Sequence, residues 1–222
     1  MKHLFKTLFL LFITAYGFSQ NPRIIPRDES VKDSSLTVFI NELRLAIKKK
    51  DKDFILNSVS PTVKNSFGND DGIETFKKKW QLDAPQCQLW GNLEKLLNLG
   101  GTFVDDENTN MLFPSVFPYL RNIYNDTFSM AVVTSEKLML REKPDKKSKT
   151  LGILSYDVAY LLYSDKFTPE YGFKPSWSYI RTLDKKMAGY VPEEYLYNPL
   201  QYRMFIAKRD GKWKITFLCN GR

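Results

Sequence analysis

The sequence predicts an α+β fold, in which a helical N-terminal half is followed by a small β-barrel and a closing β-hairpin. Three observations support this prediction. Apolar residues recur with a helical period between residues 34 and 101, short apolar runs separated by polar turns follow from residue 131, and two alternating runs flank Asp210-Gly211 near the end. The predicted units are residues 34–128, 129–197 and 198–222, the last of which packs back on the helical half and completes it.

The first 19 residues have the features of a secretory signal peptide. Lys2 and Lys6 flank the start of an apolar run, and the small residues Gly17 and Ser19 precede the expected cleavage before Gln20. The run is too short to span a membrane, and no later segment approaches the roughly 18 apolar residues that a span needs. We therefore expect export to a periplasmic or extracellular location, without a transmembrane segment.

Cleavage would leave a chain without histidine, because His3 is the only one. This excludes a Ser-His-Asp triad, a Cys-His pair, a histidine general base and any His-ligated metal. The formal charge falls from +8 to +6 because Lys2 and Lys6 are lost, which leaves 31 Lys and Arg against 25 Asp and Glu. This is a modest basic excess for an exported protein, and we expect no nucleic-acid partner.

The first predicted element after cleavage is an extended lead-in over residues 20–33, which hold two prolines and no periodicity. A helix follows, with Ser34 or Ser35 as its N-cap and the run Lys48 to Lys50 at its C-terminal end. This lysine run is interpreted as a solvated last turn, with a phosphate site as the alternative. The apolar stripe of the helix is Leu36, Phe39, Ile40, Leu43 and Ile47.

Three more helices are predicted, over residues 51–60, 71–82 and 86–101. An irregular segment from Pro61 to Gly68 separates the first two, and Asp71 with Glu74 matches a capping box for the second. The third ends at Gly100-Gly101, where glycine can adopt the left-handed cap. The inward residues of the last two helices are Ile73, Phe76, Trp80, Leu89, Leu93, Leu96 and Leu97.

An irregular connection is predicted from Thr102, where the helical period ends. Its acidic residues Asp105, Asp106 and Glu107 invite a calcium interpretation. The segment lacks the alternating oxygen ligands and the closing glutamate of an EF-hand loop, so a surface turn is the prediction. We expect no metal and no cofactor.

The stretch KLMLREKPDKKSKTLGIL, from Lys137 to Leu154, is either a basic patch or the solvated tip of a hairpin with buried ends. We interpret it as a hairpin, with Leu138, Leu140, Leu151 and either Ile153 or Leu154 inside and the lysines at the rim. Residues 149–163 and 177–196 supply two more pairs of short apolar runs. Short strands at this spacing predict a small closed barrel.

This segment resembles bacterial SH3-like (SH3b) domains over about 65 residues. It departs from them in a longer and more aromatic loop, residues 163–176, and in Lys143 before Pro144, where the family often has glycine. The residues that carry the resemblance are Val133, Leu138-Met139-Leu140-Arg141, Pro144, Leu151-Gly152, Leu154 to Val158 with Tyr156 and Asp157, Trp177, Ile180, Gly189-Tyr190-Val191 and Tyr195-Leu196.

The closing hairpin has Asp210-Gly211 as its tight turn. The chain as a whole looks like exported Bacteroidota-type proteins with a helical start and a closing strand similar to DGKWKITF, which implies that the barrel is inserted between the helices and their sheet. Cys87 and Cys219 form either a disulfide that ties these two pieces or two separate thiols, and the sequence leaves this open. The alternating residues of the hairpin are Met204, Ile206, Trp213, Ile215 and Phe217.

No catalytic constellation is recognised, so we expect a protein that is not an enzyme. Glu193 and Glu194 are adjacent in a turn, Ser148-Lys149 lies on an exposed loop, and Cys87 has no partner base. The resemblance implies recognition of a peptide or of peptidoglycan through aromatic residues. The expected function is therefore that of an exported envelope protein that binds such a ligand through its SH3-like domain.

The candidate ligand-binding residues lie on one strand and in the long loop beside it. Period-two alternation places Trp177 and Tyr179 opposite the inward Ile180. Alternatively, these rings only cover the open end of the barrel. Two other functions stay open: a protein-partner module, such as an inhibitor or assembly factor, that uses the helical half to bind an envelope protein, and an uncharacterised hydrolase. The loop candidates are Tyr163, Phe167, Tyr171 and Phe173.

Overall fold

The computed structural model describes residues 21–123, 128–162 and 177–221, with backbone only at 122 and 123. The fold is α+β, with helices and two sheets. Within the described residues, no helix combines the length and the apolar character needed to cross a membrane. The helices are α1 (Ser34–Lys49), α2 (Lys52–Ser58), α3 (Ile73–Trp80), α4 (Leu89–Asn98) and α5 (Val116–Ile123). The strands are β1 (Val59–Lys64), β2 (Thr102–Phe103), β3 (Asn110–Phe113), β4 (Met130–Val133), β5 (Leu138–Arg141), β6 (Thr150–Leu154), β7 (Val158–Leu161), β8 (Trp177–Thr182), β9 (Ala188–Pro192), β10 (Leu196–Tyr197), β11 (Arg203–Arg209) and β12 (Lys212–Cys219).

The five-stranded sheet has the order β1-β12-β11-β3-β2. Strand β1 runs parallel to β12, and the other neighbours are antiparallel. Helices α1 to α4 pack on this sheet, since Leu43, Ile55, Phe76 and Leu93 share one buried cluster with Ile206 of β11. The C-terminal hairpin therefore packs back on the helical half, as the sequence predicts.

The turn of this hairpin is Asp210-Gly211, in which both residues have positive φ, 48° and 75°. This combination matches the twist of the flanking strands. The predicted alternation fails beyond Ile215, because a bulge leaves Thr216 without a partner between the pairs Ile206–Ile215 and Phe205–Phe217. Phe217 is consequently half-buried on the other side of the sheet, and Leu218 takes its place in the core.

Helix α1 buries the predicted stripe except for Phe39, which is half-buried, but its N-cap is Asp33 instead of Ser34 or Ser35. The Asp33 carboxylate accepts a hydrogen bond of 2.9 Å from the Leu36 backbone N–H. Ser35 lies in the first turn of the helix, where its hydroxyl accepts a bond of 2.9 Å from the indole N–H of Trp213. At the other end the three lysines of residues 48–50 are exposed, as expected for a solvated last turn.

Three further predictions in the helical half are wrong. The connection from Thr102 is not irregular, since it forms β2, β3 and α5. The segment from Pro61 is not irregular, since Pro61 lies within β1, an edge strand where a missing N–H is tolerated. The N-cap of α3 is Gly72, with φ of 97°, and no capping box forms. Asp71 instead pairs with Lys64 and Glu74 with Lys77, so neither carboxylate is placed to cap the helix.

Helix α4 ends as predicted, and Gly100 has a positive φ of 65°. The lead-in crosses directly over this glycine, because a Cβ at Gly100 would lie 2.1 Å from the Arg27 carbonyl oxygen. Only a residue without a side chain fits here. The predicted inward leucines, Leu89, Leu93, Leu96 and Leu97, are all buried.

The predicted closed barrel is not found. The second sheet has the order β10-β4-β7-β8-β9-β5-β6, and within the described residues no ladder joins its two edges. The chain turns after β4 and after β6 at Lys137 and Tyr156, which have φ of 54° and 59°. The sheet is nevertheless curled, since every one of its strands contributes to one buried cluster. That cluster is Ala131, Val133, Leu138, Leu140, Leu154, Ala159, Ile180, Val191 and Leu196.

The charged stretch from Lys137 to Leu154 is a hairpin of β5 and β6 with an exposed tip. The interior residues were predicted only in part. Leu151 and Ile153 are 39% and 60% exposed. Leu140 pairs with Gly152, which places the glycine on the inner side, where a Cβ would lie 2.5 Å from the Met187 sulfur. A bulge between Leu140 and Arg141 leaves Leu151 without a partner on β5.

A third buried cluster, which we call the junction core, joins the two sheets. It covers the outer side of β10, β4 and β7 with α5 and the lead-in. The outer side of this half of the sheet is therefore buried inside the protein. The junction core consists of Ile24, Leu99, Leu112, Val116, Phe117, Leu120, Met130, Val132, Val158 and Tyr197.

The lead-in has no helix or strand over residues 21–29 and then forms a 3-10 turn, Ser30–Lys32, where an extended chain was predicted. Hydrogen bonds tie it to both units. Ile24 N–H donates to the Tyr156 carbonyl at 2.9 Å, and Val158 N–H donates to the Pro22 carbonyl at 2.8 Å. On the other side, Arg27 N–H donates to the Ser115 hydroxyl at 2.9 Å. The lead-in therefore acts as a connector between the curled sheet and the helical half.

A stability measurement tests the crossing at Gly100. Alanine at any position of positive φ costs about 1–2 kcal/mol, and overlap with the Arg27 carbonyl adds about 1–3 kcal/mol of overpacking. We expect Gly100→Ala to lower the free energy of unfolding in urea by the sum of both costs. Gly211→Ala is the matched control, since its φ is +75° and a Cβ there has no neighbour within 4 Å. Equal losses in both variants would contradict the close crossing.

Candidate ligand-binding face

The outer side of β8, β9, β5 and β6 is partly exposed, in contrast to the buried half of the same sheet. Alternation along these strands directs Ile180, Val191 and Leu140 into the core, and their neighbours outward. We call the outward side of these four strands the open face. It comprises Met139, Arg141, Leu151, Ile153, Trp177, Tyr179, Tyr190 and Pro192.

The aromatic rings of the open face lie side by side on β8 and β9, with Arg141 of β5 next to them. Tyr179 lies opposite Tyr190, and Tyr190 lies opposite Arg141. The two tyrosine rings contact each other with centroids 4.8 Å apart and an interplanar angle of 60°, an edge-on arrangement that aromatic pairs favour. Trp177 lies opposite Pro192 two residues along the same strands. The rings are therefore held on a rigid sheet and not on a loop.

Arg141 places a fixed cation at the edge of this row. Its Nη1 donates to the Ser148 carbonyl and to the Thr150 hydroxyl, both at 2.8 Å. Its Nη2 donates to the Met139 sulfur at 3.0 Å. These bonds orient the guanidinium along the β5–β6 hairpin. A planar cation held in this way can stack on a ring or receive a carboxylate.

A shallow groove of about 280 Å³ opens at one end of the open face. It combines apolar and aromatic walls with charges of both signs. A groove of this kind suits an amphipathic ligand that lies along the surface. Its walls include Glu136, Met139, Lys146, Trp177, Pro192 and Tyr195.

The structure brings two of the predicted site residues together. Trp177 and Tyr179 lie on the same side of β8 and both are half-buried, as the alternation predicts. The four loop candidates, Tyr163, Phe167, Tyr171 and Phe173, lie outside the described residues. Their role stays a prediction.

The sequence did not assign the other residues of the open face and groove to the site, and these include three large apolar or aromatic side chains. Tyr190 and Met139 lie on the open face and Tyr195 in the groove. Period-two alternation around Val191 and Leu140 contained the signal for the first two. Alternation does not give the strand order, in which β5 lies beside β9 and β9 beside β8.

A second, more polar cleft of about 410 Å³ lies between α4 and residues 193–202. Glu193 and Glu194 line it from a single 3-10 turn, so they approach a bound molecule from the same side. The side chains that line it from α4 and its N-cap are Gln88, Asn92, Lys95 and Leu96, none of which is a carboxylate. Lys95 donates to the Leu196 carbonyl at 2.9 Å. This arrangement lacks the two opposed carboxylates that glycosidic cleavage needs.

The acidic segment is a surface turn between β2 and β3. Asp105 accepts hydrogen bonds from the backbone N–H groups of Thr109 and Asn110, the latter at 2.9 Å, and from both of their side chains. Burial alone would raise the pKa of Asp105, but these bonds outweigh it and lower the pKa to about 2. Among the described residues, no group of three acidic, cysteine or histidine side chains is placed to hold a metal ion.

Both cysteines are free thiols in the structure. The bridge that the sequence left open is absent, and the Cys219 thiol donates to the Lys64 carbonyl at 3.3 Å. Burial raises the pKa of the Cys219 thiol to about 11, which keeps it protonated. Cys87 is half-buried and packs against the helical core.

No protein-family model matches this chain, and no curated protein or solved structure matches it. Nothing in these comparisons identifies an SH3b domain. The SH3-like resemblance of residues 133–196 therefore stays a prediction. The signal peptide falls on residues outside those that the structure describes and also stays a prediction.

The pH dependence of stability tests the Asp105 turn. Because the pKa of Asp105 is lower in the folded chain than in the unfolded one, its contribution is present above about pH 4 and is lost as the pH falls through about 2. We expect Asp105→Asn to lower the free energy of unfolding by about 1 kcal/mol at pH 6. The difference from wild type should shrink between pH 4 and pH 2. Urea unfolding measures it, with the exposed Asp106→Asn as the control, and a difference that is constant with pH would contradict the prediction.

Proposed function

We propose that this protein is an exported, non-enzymatic envelope protein that holds a peptide or peptidoglycan-type ligand on the open face of its seven-stranded sheet. One observation carries the proposal. Trp177, Tyr179 and Tyr190 share one partly exposed side of a sheet whose opposite side is buried. Rings in such an arrangement keep their positions when a ligand binds, so little conformational entropy is lost.

The chemistry of the open face supports this class of ligand. Aromatic rings provide large contact areas for the apolar faces of sugar rings and for extended peptide chains. Arg141 and Lys146 add positive charge beside the rings, where the carboxylates of a peptidoglycan stem peptide would interact favourably. The open face therefore offers both contacts that a glycopeptide requires.

The absence of histidine after residue 3 supports the non-enzymatic part of the proposal. The polar cleft supports it too, because its two carboxylates, Glu193 and Glu194, come from one turn. Export is supported by the signal-peptide features of residues 1–19. A binding role needs neither a general base nor an opposed pair of carboxylates.

The second candidate function is a protein-partner module that uses the helical half. Val38 and Leu45 on α1 favour it, since both are 57% exposed and lie two helical turns apart on the same side. Cross-linking mass spectrometry on the native envelope separates the two candidates. Cross-links from the lysines at residues 48–50 to one defined protein would favour the partner module.

A sedimentation assay with purified peptidoglycan tests the ligand-binding proposal. We expect wild-type protein to sediment with the cell wall, and Trp177→Ala and Tyr190→Ala to be retained about tenfold less well. The reason is that a buried aromatic contact is worth more than about 1 kcal/mol in a binding site, and about 1.4 kcal/mol corresponds to tenfold in affinity.

Phe67→Ala is the matched control. Phe67 is also an aromatic residue that is about half exposed, but it lies in the loop after β1, away from the open face, where its ring contacts Phe217 of β12. Circular dichroism and the thermal midpoint establish that each variant is folded. Equal retention of all three variants, or no retention of the wild type, would contradict the proposed function.

A further inference from the structure

We propose that the edge strand β6 binds an extended acidic peptide by strand addition, so that the partner segment becomes the eighth strand of the curled sheet. The inference rests on the proposed function, because it takes the same sheet as the binding unit. It also narrows the ligand to a polypeptide. Strand addition supplies affinity through main-chain hydrogen bonds and specificity through alternate side chains.

Within the described residues, strand β6 forms a free edge of the curled sheet. Within the described residues, β6 pairs only with β5 and forms the end of the seven-stranded sheet. Such a strand presents unpaired N–H and C=O groups along its outer edge. Proteins protect such edges with lysine, proline or bulges. The sequence TLGIL of β6 contains neither lysine nor proline, and its one bulge lies at Leu151, which leaves Gly152 to Leu154 as a regular edge. Among the described residues, the edge is open to pairing.

The same strand also has an exposed apolar side. Leu151 and Ile153 are exposed, and Ile153 lies opposite Met139, which is 46% exposed on the open face. A strand added about 4.8 Å beyond β6 would place alternate side chains next to Leu151 and Ile153. Apolar or β-branched residues at alternate positions of the peptide would bury this surface.

The hairpin tip beside β6 is positively charged. The hairpin tip that leads into β6 carries four exposed lysines, and none of them forms an ion pair with a described residue. Residues 137–149 contain six Lys and Arg against two Asp and Glu, a net charge of +4. A partner with acidic residues complements this end of the strand. A second copy of this chain would bring the same positive hairpin to the interface and be disfavoured. The four lysines are Lys143, Lys146, Lys147 and Lys149.

Fluorescence anisotropy with synthetic peptides tests the proposal on the full protein. The probe is the labelled peptide acetyl-Glu-Val-Thr-Val-Glu-Val-Thr-amide. Two further versions carry N-methyl groups on alternate amides, one on each edge of the peptide strand. We expect the probe to bind, and one N-methylated version to bind at least tenfold more weakly than the other, because only one edge of the peptide faces β6.

Charge reversal tests the lysine contribution. We expect a peptide with lysine in place of glutamate to bind the wild-type protein at least tenfold more weakly than the probe. The triple variant Lys146→Glu, Lys147→Glu, Lys149→Glu should reverse this preference. The three lysines are exposed, so the variant is expected to fold, and circular dichroism establishes that it does.

Several outcomes would overturn the inference: no binding of the probe, equal affinities of the two N-methylated versions, or an unchanged preference in the charge-reversed variant. A dimer detected by sedimentation and abolished by Ile153→Lys would assign the edge to a second copy and overturn it as well. Trp177→Ala keeps the two proposals distinguishable. Peptide binding without any loss of cell-wall retention in Trp177→Ala supports strand addition and contradicts the role of the open face.

Discussion

The burial of one half of the curled sheet against α5 and the lead-in is the constraint on which the architecture depends. Val132, Val158 and Tyr197 project from its outer side into the junction core, where they meet Val116 and Leu120. An apolar sheet side of this size must be covered, and the cover also fixes how the two sheets are joined. Because α5 and the lead-in extend over only β10, β4 and β7, the aromatic half of the sheet is left to solvent.

Polar and charged groups are also buried at this junction, among them Asp157 and Arg203. The Asp157 carboxylate is buried and accepts a bond of 3.1 Å from the Asn21 side chain, while Asn21 accepts one of 2.8 Å from Leu183 N–H. Arg203, also buried, lies 5.0 Å from the Phe67 ring and 4.8 Å from the Phe117 ring. Burial lowers the pKa of Arg203, and the Tyr197 hydroxyl beside it opposes that shift. The Asn21 bonds therefore hold the lead-in on the curled sheet, and Arg203 lies between the ring of Phe67 and the ring of Phe117 in α5.

Local sequence patterns predicted most helices and turns correctly. The predictions were wrong where the local structure depends on a strand that is distant in sequence. The stripe of α1, the end of α4 at Gly100 and the Asp210-Gly211 turn depend on residues close in sequence. The edge position of Pro61 depends on β12, more than 140 residues away, and the bulge at Thr216 depends on β11. The barrel prediction failed in the same way, because closure requires pairing between its two edges, and a periodicity argument contains no information on that pairing.

The candidate site shows the same division. Alternation predicted that Trp177 and Tyr179 share a side of β8, but whether that side faces solvent depends on where the junction core ends. The sheet is one continuous surface, and its outer side carries large residues throughout, from Tyr160 and Tyr197 to Tyr179 and Tyr190. Composition therefore does not separate the covered half from the exposed half. The separation follows from the length of α5 and the path of the lead-in, so a change in either would alter the area available to a ligand without any change in the rings themselves.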